Sequence, residues 1–152
     1  MPVIFQQIIA RADARRNAQV LYVFGDNVAR KGMGGLAAEL RNEKNAVGVR
    51  TKYTAHEFYT EDPESVAAQN RMIDEDMKPL FDHVRRGGVV VWPARGVGQG
   101  TARLPLRAPS TFDHLERKLE ALIEAARLNR PKTAPERQPR RSGPLTFTPP
   151  QA

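Results

Sequence analysis

The stretch Val89–Gly100, with the sequence VVVWPARGVGQG, decides the fold class of this chain. Its first four residues are all β-branched or aromatic, which is typical of a strand buried on both faces of a parallel sheet. Glycines at 96, 98 and 100 follow and predict a loop that brings backbone N–H groups close to a ligand. In open α/β sheets, ligands bind beyond the carboxyl ends of the strands, so this stretch predicts an α/β protein with a site at that edge.

A second strand, loop and helix unit lies earlier in the chain. The apolar run Val20–Phe24 stops at Gly25-Asp26-Asn27 and is followed by the glycine-rich loop KGMGG at 31–35. Within 30–42, this loop is followed by a predicted helix, since Met33, Leu36, Ala37 and Leu40 are apolar and at helical spacing. Each glycine-rich loop is also compatible with an ordinary tight connection, but two on successive buried strands favour a pyrophosphate ligand. No Walker lysine pattern and no GxGxxG motif opens a helix, which argues against the common nucleotide sites.

The other expected elements complete an alternating pattern. We expect a strand over 3–12 that is ended by Asp13, and a short strand over 46–50. One helix is expected from Pro63 to Arg86, capped by Asp62. Another is expected from Pro109 to Asn129, with Ser110 and Asp113 as a capping pair. Trp92 is expected in the core. Strands alternating with helices predict a three-layer α/β fold with a mainly parallel sheet flanked by helices.

Length and charge divide the chain into two parts. The 152 residues suffice for one domain, which we place at 1–129, and residues 130–152, with six prolines, predict a disordered tail. The net charge is +7, from 24 basic and 17 acidic residues, but the tail alone holds five bases and one acid. The body is therefore only +3. Arg137, Arg140 and Arg141 of the tail would add a sequence-independent attraction to nucleic acid, although a solvated disordered tail is the commoner case for such a composition.

Composition also excludes several classes of site. The chain has no cysteine, which removes disulfides, thiolate zinc sites and cysteine nucleophiles, and its three histidines are scattered, so no metal or other cofactor is predicted. No apolar run approaches the roughly 18–20 residues that span a bilayer. A cytoplasmic protein with no membrane partner is the expectation.

The order of these features resembles the macrodomain fold. A strand, Asn27, the loop KGMGG, a strand ending in Thr51-Lys52, a long helix and the stretch VVVWPARGVGQGTARLPL at 89–106 are most similar to the lysine-dependent branch, whose members remove ADP-ribose from protein carboxylates or from DNA bases. The resemblance spans residues 8–125 at the level of motifs. It implies an ADP-ribose-binding glycohydrolase, with ADP-ribose or an ADP-ribosylated macromolecule as its partner.

The resemblance also implies roles for single residues. Asp13 would accept a hydrogen bond from the adenine amino group, although a capping aspartate fits the sequence equally well. Asn27 would reach a ribose hydroxyl, unless it merely closes an Asx turn. Lys52 would act at C1 of the distal ribose, which requires an amine partly removed from water, whereas an arbitrary lysine is solvated. The distal ribose would be lined, besides Asn27, by Lys31, Gly32, Met33, Gly34 and Gly35, and the diphosphate would be wrapped by Val97, Gly98, Gln99, Gly100 and Thr101.

One departure from this branch bears on catalysis. Some of its enzymes carry an aspartate two residues after the last glycine of the second loop, where this chain has Ala102. Glu57, Asp62 or His56 could replace that acid, and the DNA-directed members rely more on the lysine alone. The departure leaves open a protein that binds ADP-ribose or an NAD-derived signal nucleotide without hydrolysing it. The basic charge leaves a further alternative, a basic nucleic-acid-binding protein with an incidental α/β fold.

Overall fold

The computed structural model of the chain describes residues 3–129, so the predicted tail at 130–152 lies outside the described residues. The elements are, in chain order, β1 (Val3–Gln6), α1 (Arg11–Arg16), β2 (Val20–Asn27), α2 (Ala37–Leu40), β3 (Ala46–Lys52), α3 (Pro63–Arg85), β4 (Val89–Pro93), α4 (Leu104–Arg107) and α5 (Pro109–Leu128). Strands and helices alternate through β4; the sequence predicts this alternation from β2 onward but not α1.

The four strands form one parallel sheet in the order β1-β4-β2-β3. Strand β2 is central, because Tyr22 pairs with Ala46 of β3 on one side and with Val91 of β4 on the other. All carboxyl ends therefore lie at one edge of the sheet, as the parallel arrangement requires.

Apolar side chains of the sheet alternate between two cores. Val23, Val90 and Trp92 pack with α3 and α5 on one face, and Tyr22 and Phe24 pack with α1 and α2 on the other. This alternation follows from the two-residue repeat of a strand. The two cores establish three layers, helices on sheet on helices, and Trp92 is buried as predicted.

Helix α3 is the longest element and follows its sequence signals closely. Asp62 caps it by accepting a hydrogen bond from Ser65 N, and Pro63 occupies the first turn, where no backbone donor is needed. Ile73, Met77 and Leu80 are fully buried against the sheet. The predicted bounds of this helix are correct to one residue.

Three local predictions are wrong. The segment 3–12 is not one strand, because β1 ends at Gln6 and α1 begins at Arg11. The helix predicted to follow the glycine loop within 30–42 is reduced to α2, because Gly35 adopts a positive φ angle before it and the backbone of Arg41 leaves the helical conformation after it. Ser110 and Asp113 form no capping pair, since Ser110 donates through its backbone N and its hydroxyl to Glu61.

Within residues 3–129, no helix is both long enough and apolar enough to cross a membrane.

The buried face of α3 predicts a measurable difference in stability. Leu80→Ala removes a fully buried side chain and should lower the free energy of unfolding by about 2–5 kcal/mol, because a cavity remains at the sheet. Lys78→Ala, on the exposed side of the same helix, should change it by less than about 0.5 kcal/mol. Urea denaturation of both variants makes the comparison, and equal losses would contradict this packing.

Candidate functional site

Three loops meet at the carboxyl edge of the sheet. They follow β2, β3 and β4 and comprise residues 28–36, 53–62 and 94–103. Val28 N donates to Lys52 O at 2.9 Å and Ala29 N to Tyr53 O at 3.1 Å, which joins the first loop to the end of β3. Lys52 Nζ donates to Thr101 Oγ1 at 3.1 Å and so joins β3 to the third loop. Lys52 and Thr101, which are predicted to share a site and lie 49 positions apart in the sequence, are thereby in contact.

A register shift brings Lys52 to its position. Asp26 pairs with Arg50, but Asn27 pairs with Lys52, so Thr51 is an extra residue in β3. Thr51 is buried, and its hydroxyl donates to Asp26 O at 3.4 Å. Bulges of this kind redirect the side chain that follows and recur next to active sites. Lys52 is consequently aligned with the last residue of β2 and is partly buried.

The loop after β4 has the features of an anion-binding loop. Gly96 and Gly98 have φ angles of +91° and +83°, which favour glycine. Val97 is buried in the core, so only its backbone faces the edge. None of the backbone N–H groups of residues 97–102 donates to an acceptor within residues 3–129. Successive free N–H groups in a glycine turn form a concave donor surface that suits phosphate.

The loop after β2 is exposed and similarly rich in free donors. Residues 31–35 are solvent-exposed, and the N–H groups of residues 32–36 find no acceptor in the described part of the chain. Asn27 Nδ2 donates to Lys31 O at 2.8 Å, and Lys31 N donates to Asn27 Oδ1 at 3.4 Å. The Asn27 side chain thus closes this loop, and its contact with a ribose hydroxyl stays a prediction.

Asp13 lies at the same edge but in α1, not at the end of a strand as predicted. Its Oδ2 accepts from Ala10 N at 2.9 Å and from Gln6 Nε2 at 3.1 Å, and its Oδ1 accepts from Arg16 at 2.8 Å. Gln6 is the last residue of β1, and its carbonyl oxygen accepts from Ala94 N. Asp13 therefore acts as a helix-capping residue in this structure, which is one of the two roles its sequence position allows.

The surroundings of Lys52 contain an aromatic ring but none of the expected acid. Lys52 Nζ lies 6.0 Å from the centre of the Phe58 ring, and the guanidinium of Arg107 stacks on that ring at 4.2 Å. Ala102 is buried where an aspartate was expected. Asp62 caps α3, and hydrogen bonds from Ser65 and Thr60 lower the pKa of its carboxyl. A general acid needs the opposite shift, so Asp62 does not supply the missing function.

Cations at the loop edge are unpaired, whereas those beside it are neutralised. Within residues 3–129, five basic side chains in these loops or adjoining them have no carboxylate within 4.0 Å. They are Lys31, Lys52, Arg95, Arg103 and Arg107. Three exposed carboxylates of the second loop, Glu57, Glu61 and Asp62, likewise have no cationic partner within residues 3–129, so the excess of unpaired positive charge is small. Together with the free N–H groups, this excess favours an anionic ligand.

The sequence did not single out a buried carboxylate that organises this edge. Asp26 is 4% exposed and accepts hydrogen bonds from Arg41 at 2.5 and 3.2 Å and from Arg30 at 3.0 Å. Burial raises the pKa of Asp26, but the bonds from Arg41 and Arg30 outweigh it, so the pKa is lower than usual. Arg30 also pairs with Asp76, which holds Arg50. The available signal was a charged residue directly after an apolar strand.

Two shallow depressions lie on other surfaces. One, of about 230 Å³, lies between α3 and α5 and is lined by Lys78, Phe81 and Lys118, among others; the second, of about 460 Å³, lies between α1 and the segment after α2. Asp74 in the first depression already pairs with Lys118 and His114. In residues 3–129, no group of three or more histidine or carboxylate side chains could hold a metal ion.

The fold defines an α/β protein with a four-stranded parallel sheet flanked by helices, in which three loops meet at the carboxyl edge of the sheet. A model for a family of unknown function, DUF7831, matches residues 4–118, and the chain belongs to this family. The match includes all three loops. No curated protein and no solved structure gives a significant match.

The pKa of Asp26 predicts an acid-sensitive contribution to stability. Because the folded-state pKa is lowered, the unfolded chain binds the proton more readily, and the contribution is present above about pH 4 and lost below it. Asp26→Asn should therefore lower the free energy of unfolding by about 3 kcal/mol at pH 7. The difference in unfolding free energy between the wild type and Asp26→Asn should be smaller in denaturant titrations at pH 3 than at pH 7. An equal difference at both pH values would refute the assignment.

The glycines of the third loop differ in a testable way. At Gly98, φ is +83° and an added Cβ would lie 3.0 Å from Leu104 Cδ2, whereas Gly100 has open space around it. Gly98→Ala should cost about 1–3 kcal/mol of stability, and Gly100→Ala well under 1 kcal/mol. Denaturant unfolding of the two variants would disprove the loop conformation if the order were reversed.

Proposed function

We propose that this protein is macrodomain-like, binds ADP-ribose at the carboxyl edge of its sheet and hydrolyses it from a modified macromolecule, DNA or protein. The hydrogen bond from Lys52 Nζ to Thr101 Oγ1 carries the proposal. It joins the lysine expected to act at C1 of the distal ribose to the loop expected to hold the diphosphate. These two assignments come from separate parts of the sequence, and their contact supports treating them as one site.

The diphosphate would bind the loop after β4. A diphosphate needs several donors that converge on it, and the N–H groups of residues 97–102, which have no acceptor within residues 3–129, would supply them. Arg95 and Arg103, both exposed and in the same loop, would add long-range attraction. The distal ribose, attached to the second phosphate, would then extend toward Lys52 and residues 31–35.

Hydrolysis breaks the bond between C1 of the distal ribose and the modified group. A water oxygen becomes bonded to C1, and the leaving group receives a proton of that water. Lys52 would assist by contact with C1, and Thr101 would orient its amine. Phe58, stacked beneath Arg107, shields one side of the amine from bulk water.

The missing acid limits which linkages this site could cleave. A carboxylate leaves as a stable anion and needs little protonation, whereas an alkoxide from serine requires a general acid. Ala102 supplies no proton, Asp62 is committed to the helix cap, and neither Glu57 nor His56 is hydrogen-bonded to the Lys52 amine. The site is therefore best suited to carboxylate esters; base-linked ADP-ribose, the other linkage that the resemblance implies, would need a proton from water for its leaving base.

A second function is favoured by the same observation. Without an acid beside Lys52, the loops would still hold ADP-ribose or an NAD-derived signal nucleotide, and the protein would act as a reader or a sequestering protein. Binding would then be unaccompanied by release. The nucleic-acid contact predicted for the tail concerns residues outside 3–129, and it would concentrate a modified nucleic acid near the site in either case.

Replacing Lys52 separates the two functions. Release of ADP-ribose from modified DNA and from modified protein, measured by chromatography, should fall at least about 100-fold in Lys52→Ala. ADP-ribose affinity, measured by calorimetry, should change less than about tenfold, because the diphosphate loop is intact. Lys44→Ala, an exposed lysine after α2, is the matched control and should behave as wild type in both assays.

The outcomes are distinct. Full activity in Lys52→Ala would refute the lysine mechanism. Binding by the wild type without release from either substrate would establish the reader. Absence of ADP-ribose binding by a folded wild-type protein would reject both functions.

A further inference from the structure

We infer that Asp26 and Arg41 are positioning residues that turn the backbone N–H donors of the first glycine loop outward, toward the ligand. The inference rests on the proposed function for the identity of the ligand, but its geometry does not depend on it. It concerns two peptide groups, Lys31–Gly32 and Gly32–Met33, whose carbonyl oxygens are both held by side chains of the protein body.

Arg41 connects the buried carboxylate to the loop. Its two terminal nitrogens donate to Asp26 at 2.5 and 3.2 Å, and its Nε donates to Gly32 O at 2.8 Å. Its guanidinium also lies 5.6 Å from the centre of the Phe24 ring, and its side chain is only 13% exposed. Every nitrogen of this side chain is thus engaged, and its position leaves little freedom.

Asn27 holds the preceding peptide. Its Nδ2 donates to Lys31 O at 2.8 Å, so the carbonyl oxygens of residues 31 and 32 are fixed one after the other. In a trans peptide, the C=O and N–H bonds point in opposite directions. With Lys31 O and Gly32 O directed at the protein body, the N–H groups of Gly32 and Met33 are directed away from it.

This orientation needs external support because the loop itself does not impose it. Gly32 has a φ of +105° with open space around it, and glycine accepts alternative backbone conformations at little cost. Neither N–H group has an acceptor within residues 3–129 that would hold it in place. The carbonyl contacts are therefore what selects the outward orientation.

The Asp26 carboxylate fits beside β3 because residue 48 is a glycine and has no side chain. A Cβ at position 48 would lie 2.7 Å from Asp26 Oδ2 and 3.0 Å from Arg30 Nη1. Arg30 Nη1 donates to Gly48 O at 2.8 Å, so the carboxylate lies in a fitted position between β3 and the two arginines. Two cations on one buried carboxylate also prevent a free negative charge from facing an anionic ligand.

Arg41→Lys tests this role. The lysine keeps the positive charge but cannot donate to Asp26 in bidentate fashion and to Gly32 O at the same time. In the ligand-free variant, the amide NMR signals of Gly32 and Met33 should shift while those of Gly98 stay in place. ADP-ribose affinity should fall at least about tenfold, because two donors lose their orientation.

Two further variants serve as controls. Leu80→Ala, expected above to lose about 2–5 kcal/mol of stability, lies in the core on α3 and has no part in the hydrogen bonds that join Asp26, Arg41 and the first loop. It should leave the Gly32 and Met33 signals and the ADP-ribose affinity unchanged, which separates positioning from general loss of stability. Asp26→Asn, of the same shape as the native residue, should reproduce the effects of Arg41→Lys and replaces it should that variant not fold.

The results separate this inference from the proposed function. Unchanged Gly32 and Met33 signals in Arg41→Lys and Asp26→Asn would overturn the positioning role, whatever the ligand. Shifted signals with unaltered ADP-ribose affinity would overturn the claim that these donors face the ligand. Shifted signals in a protein whose wild type binds no ADP-ribose would support the positioning role and reject the proposed function.

Discussion

The parallel pairing of β2 with β3 and β4 is the constraint on which the rest of the structure depends. Because all strands run in the same direction, the three loops that follow β2, β3 and β4 leave the sheet at one edge. The pairing continues beyond the apolar part of β2 as far as Asn27, opposite Lys52. A polar edge is thereby built directly onto a buried sheet, and the bulge at Thr51 determines which residue of β3 faces it.

The parts that the sequence predicts correctly are those encoded by local patterns. The apolar runs of β2 and β4 are long enough to be recognised alone, and α3 carries a cap, an early proline and a continuous apolar face. The prediction of one strand over 3–12 is wrong because Ile4, Phe5 and Ile8 are apolar yet exposed, so their sequence pattern does not reflect burial. The Asp26 network was missed because Arg41 and Asp76 are distant in sequence, and charge pairing across a fold leaves no periodic signal.

The distribution of charge over the fold tells more about ligand binding than the net charge does. Arg30, Arg41 and Arg50 are held by buried carboxylates and support the fold. Lys52, Arg103 and others at the loop edge lack such partners within residues 3–129, so their charge is available to a ligand. Even so, a body with a net charge of only +3 leaves five such cations at this edge, against three carboxylates of the loop after β3, Glu57, Glu61 and Asp62, that have no cationic partner within residues 3–129.

The structural roles of carboxylates near this edge limit the chemistry that is available at Lys52. Asp13 caps α1, Asp62 caps α3 and Asp26 holds two arginines, so these carboxylates near the edge serve the structure and are not free to transfer protons. What the edge offers in quantity is oriented N–H donors and cations, which stabilise negative charge and position a ligand. An enzyme built on such an edge would depend on positioning its substrate and on a leaving group that departs without an acid. The same donors would make an effective binder, and the difference between the two rests on whether the Lys52 amine reaches C1.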